Sequence, residues 1–251
     1  MSRRLRWAGP ILAGVAFILL WQGTVWLADY PAFILPGPLV VAGRFVEAWA
    51  DGTMTPHFLA TLASVVGGFA AGAIVGLPAG YLLARSRIAR HMLSPYLVAA
   101  QATPILALAP LIALWFGTGL NARVLICALV VVFPVAISAM VAIRGVDRRL
   151  LEMARAFRAS RRQRITLIEV PAALPGIFGG LRIGVTLAVV GAIVAEWAGG
   201  EKGLGVLINL ARGSLFDTPL MFATLFTIGA LGVACYTLVL AVERLLVGTR
   251  Y

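Results

Sequence analysis

Residues 144–171 carry the densest concentration of charge in the chain. They read RGVDRRLLEMARAFRASRRQRITLIEVP and contain eight arginines and three acidic residues. Apolar Leu150, Leu151, Ala154 and Phe157 recur among them at helical spacing, which predicts one short amphipathic helix. Such a segment could lie on an anionic lipid surface, where each arginine contributes about 1 kcal/mol, or it could dock into a groove of another protein. The apolar stripe fits either partner.

Chemistry on a bound nucleotide or at a metal ion has no visible site in the sequence. A P-loop needs Gly, four residues, then Gly-Lys and Ser or Thr, and the run GGEK at 199–202 is followed by Gly203 instead. His57 and His91 fall in loops that the topology below puts on opposite sides, so they cannot share a metal site. We therefore expect no catalytic residue, no metal site and no cofactor in this chain.

The elements that must position the basic segment are strongly apolar. Of the 251 residues, 61% are hydrophobic and only 12% are charged, and the mean hydropathy is +0.97. A soluble domain is about 45–50% apolar and about 25% charged, so a soluble enzyme, a disordered protein and a fibrous repeat are excluded. Six apolar stretches are long enough to cross about 30 Å of hydrocarbon at about 1.5 Å per residue. They cover residues 8–28, 59–84, 96–115, 124–143, 172–195 and 220–242.

The distribution of charge predicts how these spans are oriented. With six spans, both termini lie on one side, together with the loops 85–95 and 144–170. That side holds sixteen arginines and four acidic residues, whereas the other three loops hold four basic and six acidic residues. The positive-inside rule assigns the basic side to the cytoplasm. Topology thus explains the net charge of +11, and no nucleic acid partner is needed.

The second span carries a ladder of glycines. Gly68, Gly72, Gly76 and Gly80 recur every four residues, which lines them up along one face of a helix. Small residues on one face let a second helix approach closely in a membrane. The pattern predicts close helix packing, but it does not identify the partner helix.

Polar side chains inside the spans are candidates for lining a path through the bundle, because polar groups in lipid usually face the bundle interior. The candidates are Gln101, Thr103 and Thr186. The first two lie where Pro104 and Pro110 should interrupt the third span. Gln101 could instead cap the interrupted helix, and Thr186 could bond a carbonyl of its own helix.

Arg182 is the one charged residue inside the six spans. A charge at the bilayer centre costs about 2.5–3.5 kcal/mol on insertion scales. Arg182 lies a few turns from the cytoplasmic end, so its side chain could reach the membrane surface. It could also pair within the protein, or it could bind an anionic substrate.

The basic segment resembles the EAA loop in the membrane subunits of ATP-binding-cassette (ABC) importers. The family pattern is Glu-Ala-Ala, three residues, Gly, nine residues, Ile, one residue, Leu-Pro. Four positions match it without a gap: Glu152, Ala154, Ile168 and Pro171. Met153 and Val170 are mild departures, and Arg158 replaces the glycine. A glycine there would allow a turn with positive φ between two short helices, a conformation that has a steric cost for arginine.

The resemblance extends over nearly the whole chain. The runs LPGP at 35–38, QATP at 101–104 through LWFG at 114–117, and Glu196 with GLG at 203–205 are similar to motifs of one permease subgroup. That subgroup includes importers of nitrate, taurine and alkanesulfonates, and importers of pyrimidine thiamine precursors and riboflavin. The runs AEWAGG at 195–200 and FDTPLM at 216–221 look closest to the vitamin-precursor branch.

The resemblance implies an all-α polytopic membrane protein with the type I ABC importer permease fold. It implies a single transmembrane domain over residues 1–251, with six transmembrane helices, cytoplasmic termini and an EAA-type coupling loop at 144–171. The positions that would couple to the ATPase are Glu152, Met153, Ala154, Phe157, Arg158, Ile168 and Pro171.

The same resemblance implies the partners of the chain. A second permease copy would form a homodimer in the bacterial inner membrane, with the path for a small organic solute at its centre. A periplasmic binding protein would deliver the solute. ATP and Mg would bind a separate cytoplasmic ATPase dimer, so the chain itself would be a transport subunit and not an enzyme.

Three other classes of membrane protein compete with the importer subunit. An ion-coupled secondary transporter usually carries acidic relays inside its spans, and the six stretches contain none. An intramembrane enzyme would need a nucleophile–base pair or a metal cluster at membrane depth, which the spans do not offer. A simple channel would leave the patterned basic loop unexplained.

Overall fold

The computed structural model describes residues 3–102 and 105–248, which form helices and connecting turns. Their α-helices are α1 (Arg3–Ala28), α2 (Pro38–Ala50), α3 (Met54–Arg85), α4 (Arg87–Ala102), α5 (Ala109–Phe116), α6 (Leu120–Arg144), α7 (Arg148–Ala156), α8 (Arg161–Arg164), α9 (Val170–Trp197), α10 (Leu204–Gly213) and α11 (Thr218–Val247). A 3-10 helix (Ile105–Leu108) precedes α5, and a π-helical turn (Ile165–Glu169) joins α8 to α9.

Four helical segments in the described part of the chain are long and apolar enough to cross a membrane. They are α3, α6, the continuous segment Arg161–Trp197 that contains α9, and α11. These segments contain the second, fourth, fifth and sixth predicted spans. The chain is therefore an all-helical, multi-pass membrane protein.

The first and third predicted spans differ from these four segments in length and continuity. The first lies on α1, whose described apolar stretch, Leu12–Ala28, is shorter than the four long spans. The third is divided into α4, the 3-10 helix and α5, so the predicted interruption is present. Six spans with cytoplasmic termini remain a prediction.

The glycine ladder packs α3 against α6. All four ladder glycines are buried, and they meet α6 in the same order along both helices, so α3 and α6 run parallel. A Cβ atom on Gly76 would lie 2.9 Å from the Val132 carbonyl oxygen, closer than real Cβ atoms approach. The prediction of close packing is confirmed, and the partner helix is α6.

A second set of glycines packs α9 against α6, and these two helices run in opposite directions. Gly176 faces Ala142 near the end of α6, whereas Gly191 faces Cys127 much earlier in the same helix. A Cβ atom on Gly176 would lie 2.7 Å from the Ala142 Cβ atom. The helix α6 therefore packs against two glycine-lined faces, one on α3 and one on α9.

The directions of α3, α6 and α9 distinguish the two ends of the bundle. At the end that we call the basic end, α3 and α6 finish with Arg85 and Arg144 and α9 begins. At the opposite, outer end, α2 and α10 contribute buried side chains to an apolar cluster with α9 and α11. The LPGP run at 35–38 leads directly into α2, with Pro38 in the first turn of that helix.

The helix α10 was not predicted. The glycines at 199–205 indicate tight turns, and Gly199 and Gly203 do adopt positive φ. The helix that follows is short, but its side chains Leu204, Leu207 and Ala211 are buried. Packing against the bundle, and not local helix propensity, therefore accounts for this element.

The first helix lies against the outside of the bundle. The Trp21 ring stacks on Phe222 and Phe226 of α11, with ring centroids 5.7 and 6.0 Å apart. Most described side chains of α1 beyond this contact are exposed and apolar, such as Leu19 and Leu20. Such a surface suits contact with lipid.

Candidate functional site

The amphipathic helix predicted in the basic segment is α7, at the basic end of the bundle. Asp147 begins it, because the Asp147 side chain accepts a hydrogen bond of 2.9 Å from the Arg149 N–H. On its inner face, Ala154 is buried, and Leu151 packs against a cluster that includes Ile143 and Ala173. The helix α7 thus packs against the end of α6 and the start of α9.

The opposite face of α7 has no cover within the described residues. Phe157 is 80% exposed and Met153 is 49% exposed, and Glu152 beside them is also exposed. Leu167 in the following π-helical turn is 70% exposed. This surface, which we call the docking face, combines large apolar side chains with a surround of arginines. It has the composition of a protein contact whose partner presents acidic groups around an apolar groove.

Arg158 occupies the turn that the family pattern reserves for glycine. Its φ is +52°, so the turn that a glycine would allow is present although the residue is arginine. The Ala159 N–H donates to the Ala154 carbonyl and the Arg158 N–H to the Arg155 carbonyl, each at 2.9 Å. These two bonds form a Schellman motif, in which the left-handed residue is usually glycine.

The second half of the loop begins with a capping box. The Ser160 N–H donates to the Gln163 side chain at 2.8 Å, and the Gln163 N–H donates to Ser160 Oγ at 3.2 Å. The π-helical turn then leads into α9, with Ile168 half-buried and Pro171 in the first turn of α9. The structure therefore brings all seven predicted coupling positions to the basic end. Their contact with an ATPase remains a prediction.

Glu169 was not singled out from the sequence, yet it is the most enclosed charged residue of this region. Its side chain has no exposed area and forms ion pairs with Arg85 of α3 and Arg164 of α8. The Arg164 Nε atom lies 3.0 Å from Glu169 Oε1, and the Tyr81 hydroxyl donates to Glu169 Oε2 at 3.3 Å. The available sequence signal was an acidic residue placed between apolar Ile168 and Val170.

The predicted path residues are only partly described. The Thr186 hydroxyl donates to the Ile183 carbonyl of its own helix at 2.8 Å, and the residue is half-buried on α9. Thr103 lies outside the described residues, and the side chain of Gln101 is likewise not among those described. Lining of a path by these three residues remains a prediction.

A cavity lies beside α9 in the half of the bundle nearer the basic end. Its volume is about 590 Å³, and its lining includes Ser138, Gly179, Arg182 and Tyr236. The Arg182 Nε atom lies 3.5 Å from Glu243 Oε2 of α11. Of the three interpretations of Arg182, the structure supports pairing within the protein.

The outer end contains a second buried carboxylate, that of Glu196. Its Oε1 atom accepts a hydrogen bond from the Thr61 hydroxyl at 2.7 Å, and its Oε2 atom accepts one from the Gly205 N–H at 2.8 Å. The Thr61 hydroxyl oxygen accepts in turn from the Leu204 N–H at 2.8 Å. Gly203 has a φ of +147°, and a Cβ atom there would overlap the Glu196 carboxylate. The GLG run thus joins α10 to α3 and α9.

A third polar contact ties α2 to the start of α11. The Arg44 Nε atom donates to Asp217 Oδ2 at 2.8 Å, and this hydrogen bond raises the pKa of Arg44. The other Asp217 oxygen accepts from the Leu220 N–H at 2.9 Å and so caps α11. Asp51, which also faces Arg44, has a lowered pKa mainly because it accepts from the Thr53 N–H.

The two histidines lie at different ends of the bundle. His57 Nδ1 is 2.8 Å from the Gly203 carbonyl oxygen at the outer end, whereas His91 Nδ1 is 3.1 Å from the Arg87 carbonyl oxygen in α4. Across residues 3–102 and 105–248, no group of three or more His, Cys, Asp or Glu residues is placed to hold a metal ion.

Comparison with known proteins gives concordant matches. Residues 72–248 match the family described as binding-protein-dependent transport system inner membrane component. The riboflavin transport system permease protein RibX of Chloroflexus aurantiacus is 47% identical over 247 residues, which cover 98% of this chain and 92% of the relative. The formylaminopyrimidine transport permease protein ThiX of Halalkalibacterium halodurans is 30% identical over 250 residues, which cover 100% of this chain and 99% of the relative.

A solved structure gives the same fold. A chain of the MetNI methionine ABC transporter, in an inward-facing conformation, aligns with a TM-score of 0.68 and 22% identity over 77% of this chain and 95% of that chain. The family and the relatives are transport permeases, and they do not support the ion-coupled transporter or the channel. The resemblance found in the sequence is confirmed: this chain belongs to the family of binding-protein-dependent transport system inner membrane components, the permeases of ABC importers.

Proposed function

We propose that this chain forms the translocation path of an ATP-driven importer for a small organic solute. Two copies form a homodimer in the bacterial inner membrane, with six spans in each copy and both termini in the cytoplasm. A binding protein docks on the outer end, and a dimer of ATPase subunits, which hold ATP and Mg, docks on the basic end. Closure of the ATPase dimer moves both docking faces, and the attached helices follow.

The observation that carries this proposal is the docking face itself. Phe157 and Met153 present apolar side chains away from the bundle while Ala154 and Leu151 anchor the same helix to it. A helix that is anchored on one face and apolar on the other suits helix-in-groove docking. The arginines around it place positive charge at the rim, which favours a partner with acidic groups there.

The best candidates for the cargo are riboflavin-like vitamins and pyrimidine precursors of thiamine. The 47% identity to a riboflavin permease, over nearly the full length of both chains, supports the first. The full-length match to a formylaminopyrimidine permease at 30% identity supports the second. Sulfonates, taurine and nitrate are the next candidates.

Reversing the charge of Glu152 tests the docking. Glu152 is exposed on the docking face, so Glu152→Lys should leave membrane insertion intact while it uncouples transport from ATP hydrolysis. Glu201→Lys is the matched control for membrane insertion and for ATPase activity, because Glu201 is also exposed but lies at the outer end, away from the docking face. The measurement is uptake of radiolabelled solute by cells, together with ATPase activity of the purified complex. Normal uptake with Glu152→Lys would contradict the proposed docking.

Purification of the tagged chain tests the partners and the cargo. Mild-detergent extraction from the native membrane should retain an ATPase subunit and, after cross-linking, a binding protein. Small molecules extracted from that binding protein are identified by mass spectrometry, and uptake of labelled riboflavin is compared with uptake of a labelled pyrimidine and of taurine. A chain that purifies without an ATPase, even after cross-linking through a cysteine at position 152, would contradict the importer assembly.

A further inference from the structure

We propose that Glu169 is a positioning residue that ties the coupling loop to α3, so that α3 moves with the loop when the ATPase moves it. This inference rests on the proposed function, because it assumes that the docking face receives the movement. It adds a third helix to the two that the loop pulls directly.

The chain itself links the coupling loop to only two spans. The loop begins where α6 ends at Arg144 and leads into α9 at Val170, so both helices must follow its movement. The helix α3 ends at Arg85, far away in sequence. Any force on α3 must therefore pass through tertiary contacts, of which the glycine packing on α6 is one and a polar contact to the loop itself is another.

Glu169 provides such a contact at the point where the loop enters α9. Arg85 reaches its carboxylate from α3 and Arg164 reaches it from α8, while the Tyr81 hydroxyl adds a bond from α3. One carboxylate thus holds groups from two elements that the chain does not join directly.

The burial of the Glu169 side chain makes its ion pairs energetically costly to break. The Glu169 side chain is fully buried, whereas the side chains of Arg85 and Arg164 are 31% and 30% exposed. A carboxylate without water needs its charged partners, and removal of one partner leaves an undercompensated buried charge. If α3 stayed behind when the loop moved, this pairing would have to break, so movement of α3 with the loop is favoured.

The π-helical turn fits the same role. Glu169 is the last residue of the turn Ile165–Glu169, and a π turn inserts one residue relative to α-helical bonding. The side chains on its two sides are therefore rotated by about 100° relative to those of an uninterrupted helix. Because of this rotation, the exposed side chains of the docking face point away from the bundle, whereas Glu169 faces α3.

Spin-label distances test the inference. Cys127 and Cys235 are replaced by alanine, and labels are attached through Leu82→Cys on α3 and Arg155→Cys on α7, both exposed positions. The distance is measured by electron paramagnetic resonance in the full complex, without nucleotide and with ATP and Mg trapped by vanadate. With Glu169 in place, the distance between the two labels of one copy should be narrow and should be the same in both states.

The variant Glu169→Gln keeps the shape of the side chain but removes its charge. We expect the α3–α7 distance to broaden and to change with nucleotide, and solute transported per ATP hydrolysed to fall several-fold. Arg87→Gln is the control, because Arg87 is an exposed arginine at the start of α4, outside the docking face, with no ion pair among the described residues. It should leave both readouts unchanged.

A second variant keeps the inference testable if Glu169→Gln does not fold. Arg85→Gln removes the α3 partner, whose side chain is partly exposed, and it should loosen the same distance. A nucleotide-dependent distance with Glu169 in place, or an unchanged distance in both variants, would overturn the inference. Failure of the proposed function looks different: no ATPase would co-purify, and nucleotide would change no distance in any variant.

Discussion

Glu169 and Glu196 stand at the two ends of α9, and each buried carboxylate accepts a hydrogen bond from α3. Glu169 binds the Tyr81 hydroxyl at 3.3 Å at the basic end, and Glu196 binds the Thr61 hydroxyl at 2.7 Å at the outer end. The two contacts are possible because α3 and α9 run in opposite directions and pack against each other as well as against α6. Polar contacts at both ends and glycine packing between them join α3, α6 and α9 into one unit.

The glycine packing within this unit should not tolerate larger side chains. A Cβ atom on Gly76 would lie 2.9 Å from the Val132 carbonyl oxygen, and the backbone of α6 cannot move aside without loss of its own packing. We expect Gly76→Leu to lower the stability of the folded protein by about 3 kcal/mol or more. The measurement is thermal unfolding in detergent, followed by tryptophan fluorescence.

Gly229 of α11 is the matched control for that experiment. A Cβ atom built on Gly229 meets nothing within 4 Å, so Gly229→Leu should change the melting temperature little. Equal effects of the two substitutions would show that α3 and α6 are not in the close contact described here.

The hydroxyl of Thr61 should matter more than that of another buried threonine. Thr61 donates to Glu196 and accepts from the Leu204 N–H, so Thr61→Val leaves the buried Leu204 N–H without this partner and removes one hydrogen bond from the buried Glu196 carboxylate. We expect a loss of about 1–3 kcal/mol and faster hydrogen exchange at the start of α10. The same thermal melts and exchange mass spectrometry would measure these effects.

Thr227 offers a comparison of equal size and burial. Its hydroxyl donates to the Ala223 carbonyl of its own helix at 2.9 Å, where the carbonyl keeps its backbone partner. Thr227→Val should therefore cost a few tenths of a kcal/mol at most. If Thr61→Val were equally mild, the cluster around Glu196 would not hold α10 in place.

The spans and α7 could be predicted from the sequence, because the hydrophobic patterns that indicate them are local and periodic. Long apolar stretches predict the four long membrane-spanning helices directly, and the helical spacing of Leu151, Ala154 and Phe157 predicts α7. The glycine ladder gave the packed face of α3, although its partner depends on tertiary contacts that no spacing encodes. The left-handed turn at Arg158 was not predicted, because the family pattern has glycine there and arginine has a steric cost in that conformation.

The polar clusters at the two ends could not be predicted in the same way. Glu169 binds Arg85 and Tyr81 across more than eighty residues of sequence, and Glu196 binds Thr61 across more than one hundred. Such contacts depend on how α3 lies relative to α9, which is a property of the packed bundle. For the same reason, α10 could not be recognised as a helix from its glycine-rich beginning.

Arg182 and Glu243 should behave as a coupled pair. Their side chains are 27% and 15% exposed, and they are 3.5 Å apart at the closest atoms. Arg182→Gln alone should lower stability by about 1–3 kcal/mol, because the Glu243 carboxylate is left without its partner. The double substitution Arg182→Gln with Glu243→Gln should recover most of that loss. Additive losses in this double-mutant cycle would contradict pairing and would return Arg182 to the candidates for solute binding.

The turn at Arg158 gives a pair of substitutions with opposite expected signs. Arg158 has a φ of +52°, where a residue with a Cβ atom loses about 1–2 kcal/mol, so Arg158→Gly should stabilise the isolated permease by about 1 kcal/mol. Arg155, three residues earlier, lies in the last turn of α7 with helical geometry. Arg155→Gly should destabilise the protein by about 1 kcal/mol, because glycine is unfavourable in a helix.

Each substitution removes one positive charge from the same loop, so a general effect of charge would shift both melting temperatures in the same direction. The measurement is thermal unfolding of each variant in detergent, together with hydrogen exchange at the Arg158 and Ala159 amides, which donate in the Schellman motif. A higher melting temperature for Arg158→Gly and a lower one for Arg155→Gly would assign the difference to backbone conformation. A loss of stability with Arg158→Gly would mean that contacts of the arginine side chain outweigh the steric cost of its left-handed backbone.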